Sequence, residues 1–62
     1  MEEVMITEDG SYIQILYFAE DPLPTGHIYE YKKQSWSVVR SSVKMNGLYK
    51  SHLVKVETSK QS

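Results

Sequence analysis

The pair Asn46-Gly47 constrains this chain more than any other feature. It stands between two runs rich in β-branched and aromatic residues, 36–45 and 48–56. Asn-Gly is the preferred centre of a two-residue type I′ turn, because both central positions need positive φ. The spacing predicts a hairpin with Met45 opposite Leu48. The same stretch, 36–56, holds the only tryptophan and the densest β-branched run. The rest of the chain must be arranged around it.

The upstream residues fit the same plan. Residues 3–7 alternate and read as a strand, and Asp9-Gly10 is a second hairpin pair. Residues 12–19, YIQILYFA, form the next strand. Ile13, Ile15 and Tyr17 share one face; Tyr12, Gln14, Leu16 and Phe18 share the other. Apolar groups on both sides predict a strand buried on both faces, or one at a barrel seam. Two prolines in EDPLPT (20–25) break regular structure, because each lacks a donor and fixes φ. Leu23 is the expected anchor of that loop. In 27–32, Ile28, Glu30 and Lys32 alternate with His27, Tyr29 and Tyr31, and Lys33-Gln34-Ser35 reads as a turn. Residues 36–45 fit a helical face through Trp36, Val39 and Val43, but their serines and valines favour a strand. Ser41-Ser42 is a place for a bend or bulge. The tail at 57–62 is polar and is expected to fray.

Five short strands joined by tight turns predict an all-β fold of antiparallel strands. A small, nearly closed barrel limits exposed edges. A chain of 62 residues allows one domain and buries only about 60% of its unfolded surface. The expected core is Ile13, Ile15, Leu16, Leu23, Ile28, Val38, Val54 and Val56. With no cysteine there is neither a disulfide nor a thiolate zinc site, which suits a reducing, cytoplasmic compartment. No apolar run approaches 18 residues, so no membrane partner is expected, and the acidic start does not read as a signal peptide.

Charge is sharply divided. Residues 1–31 carry seven carboxylates and no Lys or Arg; residues 32–62 carry six lysines and Arg40 against Glu57 alone. The halves therefore hold −7 and +6 within a net charge of −1. Either the two halves pair their charges on folding, or a bipolar surface offers its basic side to an acidic partner or nucleic acid.

Several segments resemble the Src-homology-3 domain. Gly47-Leu48-Tyr49-Lys50-Ser51-His52-Leu53-Val54-Lys55-Val56 is similar to that family's closing strand, 3₁₀ turn and final strand. Trp36-Ser37-Val38-Val39-Arg40-Ser41 resembles the strand that opens with its groove tryptophan. Gly26-His27-Ile28-Tyr29-Glu30-Tyr31, Asp21-Pro22-Leu23 and Ile15-Leu16-Tyr17 resemble three further segments. The likeness covers roughly 15–56. Lys50, His52 and Leu53 stand where the family has Pro, Asn and Tyr, and the 17–23 loop is shorter than its specificity loop. The resemblance implies a small barrel that binds proline-rich peptides, which are stiff before docking. Carried over, the ligand-binding residues would be Tyr17, Trp36 and Leu53 as an aromatic and apolar wall, His52 as a polar contact, and Glu20 and Asp21 facing a basic ligand group. Trp36 and Tyr17 serve equally as core residues.

A second pattern interleaves Tyr29, Tyr31 and Trp36 with Lys32, Lys33 and Arg40, as in barrels that stack single-stranded bases, although the acidic half opposes it. A third outcome is a homo-oligomer or inhibitor-like partner protein that covers an open edge with another chain. Catalysis has no support: His27 and His52 are the only histidines, no spacing matches metal ligands, and no cofactor motif is present. The expected function is therefore a non-catalytic protein-interaction module that binds a partner protein or peptide.

Overall fold

Period-two alternation governs the backbone from end to end. A computed structural model describes residues 1–57, and all regular structure among them is strand. The fraying expected at 57–62 falls, beyond Glu57, outside the described residues. The strands are β1 (Glu2–Asp9), β2 (Tyr12–Phe18), β3 (Ile28–Tyr31), β4 (Gln34–Met45) and β5 (Leu48–Lys55). They form one antiparallel sheet in the order β1-β2-β5-β4-β3, curled into a half-barrel. The barrel is not closed by backbone bonds, because β1 and β3 are its two edges.

Curling lets a single layer bury its own inner face. Ile13 and Leu53 are paired across β2 and β5, and Leu53 is paired with Val38 of β4. These three, with Ile15, Tyr17 and Trp36, form the core. Removing each large apolar group from water is worth about 1.5–3 kcal/mol, so this short row dominates the stability of so small a sheet. Among the expected core residues, Ile13, Ile15 and Val38 are buried, and Leu23 packs against them. Ile28 and Val54 are instead 55% and 40% exposed, and Leu16 is half-buried on the outer face. The correction is one of parity. Val54 neighbours Leu53 and Ile28 neighbours Tyr29, and adjacent residues on a strand point to opposite faces.

Two irregularities in β4 fix which residues look inward. The register shifts between Val38 and Arg40, and again between Val43 and Met45. In a regular strand, Val38 and Ser41 would face opposite ways. The extra residue at Val39 resets the parity, so that Val38 meets Leu53 and Ser41 meets Ser51 on the same face. The bulge is therefore not at Ser41-Ser42 but before it.

That reset builds a closed ring of hydrogen bonds. The Leu23 N–H lies 2.8 Å from the Tyr17 hydroxyl, which lies 2.7 Å from Ser51 Oγ. Ser51 Oγ is 2.6 Å from Ser41 Oγ, which bonds the Leu23 carbonyl at 2.8 Å. The proton directions follow from valence. Leu23 N can only donate, its carbonyl can only accept, and each hydroxyl has one proton. So Leu23 donates to Tyr17, Tyr17 to Ser51, Ser51 to Ser41, and Ser41 back to Leu23. Bonds aligned head to tail polarise one another, and the ring satisfies Ser51, which is fully buried. It also clamps the proline-containing loop over the open end of the half-barrel.

The turns differ from their sequence signals in type. Met45 does pair with Leu48, as the Asn-Gly pair predicts, but only Gly47 has positive φ (80°). The turn is therefore not type I′, and the bulge between Val43 and Met45 accommodates the mismatch in twist. The first hairpin turns at Gly10-Ser11, with Asp9 paired to Tyr12. The type I′ pattern of two positive φ values occurs at Lys32-Lys33, with φ of 54° and 61°, between the paired residues Tyr31 and Gln34. Left-handed backbone costs a non-glycine residue about 1–2 kcal/mol.

Two outcomes follow. Lys33→Gly relieves that backbone without touching the Lys32 side chain, and should stabilise the chain by about 1 kcal/mol in urea unfolding. Tyr17→Phe orphans the Leu23 N–H and one Ser51 partner, and should cost about 1–3 kcal/mol, with faster proteolysis at 20–25. An unchanged midpoint and unchanged cleavage would refute the ring's structural role.

Candidate interaction surface

The six residues singled out by resemblance do not converge. Tyr17 and Leu53 are fully buried and Trp36 is 6% exposed, so they are core rather than a ligand wall. The Trp36 indole N–H donates to the Tyr31 carbonyl at 3.2 Å. His52 lies on the opposite face from Leu53, as adjacent strand residues must. Glu20 and Asp21 are exposed in the loop after β2, beside a broad, open bay of about 860 Å³ that includes Phe18, Leu23 and Gly47.

Polar side chains bridge the open seam between β1 and β3. Tyr29 donates to Glu3 at 2.7 Å, Tyr31 to Glu8 at 2.9 Å, and the Lys32 ammonium reaches the same Glu8 oxygen at 2.7 Å. Lys32–Glu8 is the one ion pair among the described residues. The carboxylates of β1 thus meet the tyrosines of β3 through phenol–carboxylate bonds, and only Lys32 brings a charge from the basic half. The hydrogen bond from Lys32, then that from Tyr31, holds the Glu8 carboxyl below its ordinary range. Desolvation first, then the Glu3 contact, pushes Tyr29 up to about 12.

The outer face has no such cover. Register places Phe18, Leu48 and Met45 in one row across β2, β5 and β4, and Met5, Leu16 and Lys50 in the next. Met5, Phe18 and Met45 are 56%, 45% and 61% exposed. Beyond them lie Gln14, His52 and Arg40. Arg40 Nε donates to His52 Nδ1 at 3.2 Å. Burial, with Arg40 and Lys50 nearby, disfavours the imidazolium and lowers the His52 pKa. A shallow cleft of about 170 Å³ opens between Met5, Thr7, Gln14 and Leu16 on one side and Lys44 and Lys50 on the other.

This face escaped residue-by-residue assignment, although one signal for it was legible. Apolar groups on both sides of 12–19 mark a strand whose second face needs a partner. Nothing among the described residues covers that face. Among the described residues there is no cluster of His, Asp and Glu able to hold a metal, and no helix long and apolar enough to cross a membrane.

The seam can be titrated. The raised Tyr29 value means that its contribution to stability is fully present below pH 10, its ordinary value, and is lost as pH rises through about 12. Glu8 acts at the other end: its contribution is present above its ordinary 4.5 and is lost as pH falls through its depressed value. Tyrosinate absorbance should show a step near pH 12 that disappears in Tyr29→Phe. Glu3→Gln should lower that step but leave it above 10, since desolvation is the larger cause. A Tyr29 step at 10 in the unaltered chain would contradict the seam.

No known protein family, curated protein or solved structure matches this chain.

Proposed function

We propose that this chain is a non-catalytic protein-interaction module that holds a partner protein against the outer face of its half-barrel. One observation carries this: Met5, Leu16, Phe18, Leu48 and Met45 lie side by side on a face that nothing among the described residues covers. Scattered apolar side chains on a surface need no explanation, but contiguous ones rimmed by polar groups mark sites of association. The inner face, by contrast, spends its aromatic residues on the core and the seam. A proline-binding groove built from Tyr17, Trp36 and Leu53 lacks accessible walls in this arrangement.

The cleft between Met5 and Lys50, about 170 Å³, is below the roughly 300–1,000 Å³ that encloses a small-molecule ligand, and the bay of about 860 Å³ beside the 20–25 loop is broad and open rather than enclosing. Arg40, Lys44 and Lys50 supply positive charge for a single-stranded nucleic acid. The aromatic residues expected to stack bases do not join them, however, since Trp36 is buried and Tyr29 and Tyr31 are bonded to carboxylates at the seam. A cysteine-free module of this kind suits the cytoplasm.

Selection of a displayed random-peptide library on the chain, with Phe18→Glu as a counter-target, tests the proposal. Phe18 is exposed, so the substitution should leave the fold intact by circular dichroism. Enriched peptides should bind the variant at least ten times more weakly, about 1.4 kcal/mol. Failure to enrich any peptide, or equal binding to both proteins, would discard the outer face as the docking surface. Poly-thymidine DNA should produce no saturable binding at low salt.

A further inference from the structure

The outer-face proposal leaves the partner's chemistry open, and the cleft between Met5 and Lys50 narrows it. Its floor is apolar, from Met5 and Leu16, and its far wall carries two ammonium groups, from Lys44 and Lys50. Neither lysine has a carboxylate within ion-pair distance among the described residues. No carboxylate lines the cleft, and of the acidic groups Glu2 shares the outer face, in the Phe18 row. Glu3 and Glu8 are bonded at the seam, Asp9 accepts from the Tyr12 hydroxyl at 2.7 Å, and Glu20 and Asp21 lie on the loop. In the same region, Arg40 adds to the positive field, while His52, accepting from Arg40 at Nδ1, is neutral and does not offset it. The volume is too small for a drug-sized ligand.

We infer that this cleft takes an acidic, apolar-anchored peptide segment, with one apolar side chain on the Met5–Leu16 floor and carboxylates against Lys44 and Lys50. The inference rests on the outer-face reading. Complementary charge would fix the register of the segment and speed its encounter, while the apolar anchor supplies most of the affinity. It reverses the ligand polarity that the sequence resemblance implies, in which acidic Glu20 and Asp21 receive a basic residue. Partner side chains of like charge would be repelled at the same place.

The test uses a synthetic peptide alternating leucine and glutamate, its leucine–lysine counterpart, and isothermal titration. The glutamate peptide should bind the unaltered chain, weaken at least ten-fold as salt rises from low to high, and shift the amide resonances of Met5, Leu16 and Lys50. The double variant Lys44→Glu, Lys50→Glu should lose the glutamate peptide by ten-fold or more and gain the lysine peptide. The milder pair Lys44→Gln, Lys50→Gln should lose the first without gaining the second. A folded double variant that binds the glutamate peptide as before would overturn the inference. So would tighter binding of the lysine peptide by the unaltered chain. Failure of both peptides while library peptides still depend on Phe18 would sink the acidic segment and leave the docking face standing. Independence from Phe18 as well would remove both. Resonance shifts that depend on protein concentration alone would indicate a second copy as the occupant and would also count against the inference.

Discussion

The ring that passes from Leu23 through Tyr17, Ser51 and Ser41 and back to Leu23 holds this fold together at its least regular point. A loop containing two prolines cannot supply a ladder of backbone bonds. Here one of its residues donates its N–H to the Tyr17 hydroxyl and accepts at its carbonyl from the Ser41 hydroxyl, with Ser51 linking the two. Each hydroxyl both gives and receives one proton, so no member is left unsatisfied. In a low-dielectric interior an orphan donor costs more than a made bond returns, which is why the ring matters beyond its number of bonds.

The ring depends on the strand geometry, and the strand geometry on a bulge. If Val39 took an ordinary place in the ladder, Ser41 would point outward and Arg40 inward. A buried guanidinium would replace a hydroxyl against Ser51, an arrangement with no carboxylate to balance it. The same bulge puts Arg40 on the outer face beside His52. One irregularity thus closes the core and charges the opposite surface.

Closure of the half-barrel at its seam uses a different chemistry. Strand-to-strand bonds are replaced by tyrosine and lysine side chains reaching across to Glu3 and Glu8. The two faces of the sheet are therefore unequal. Tyr17, Trp36, Tyr29, Tyr31, Glu3, Glu8 and the loop residue Leu23 serve the inner side and its seam. Methionines, leucines, a phenylalanine, and two lysines with no ion pair among the described residues remain on the outer side.

The sequence by itself determined the number of strands, their near boundaries, the 45–48 pairing and the alternation of 12–19 and 27–32. These rest on local backbone preference and on the two-residue period, both properties of neighbouring residues. Tertiary structure alone decided which parity faced inward. Leu53 and Val54, or Ile28 and Tyr29, are nearly equivalent as local signals, and only the register across β4 and β5, reset at Val39, distinguishes them. The candidate surface was hidden for the same reason. Met5, Leu16, Lys44 and Lys50 come from four strands, and distance along the chain says nothing about a cleft that exists only when those strands are side by side.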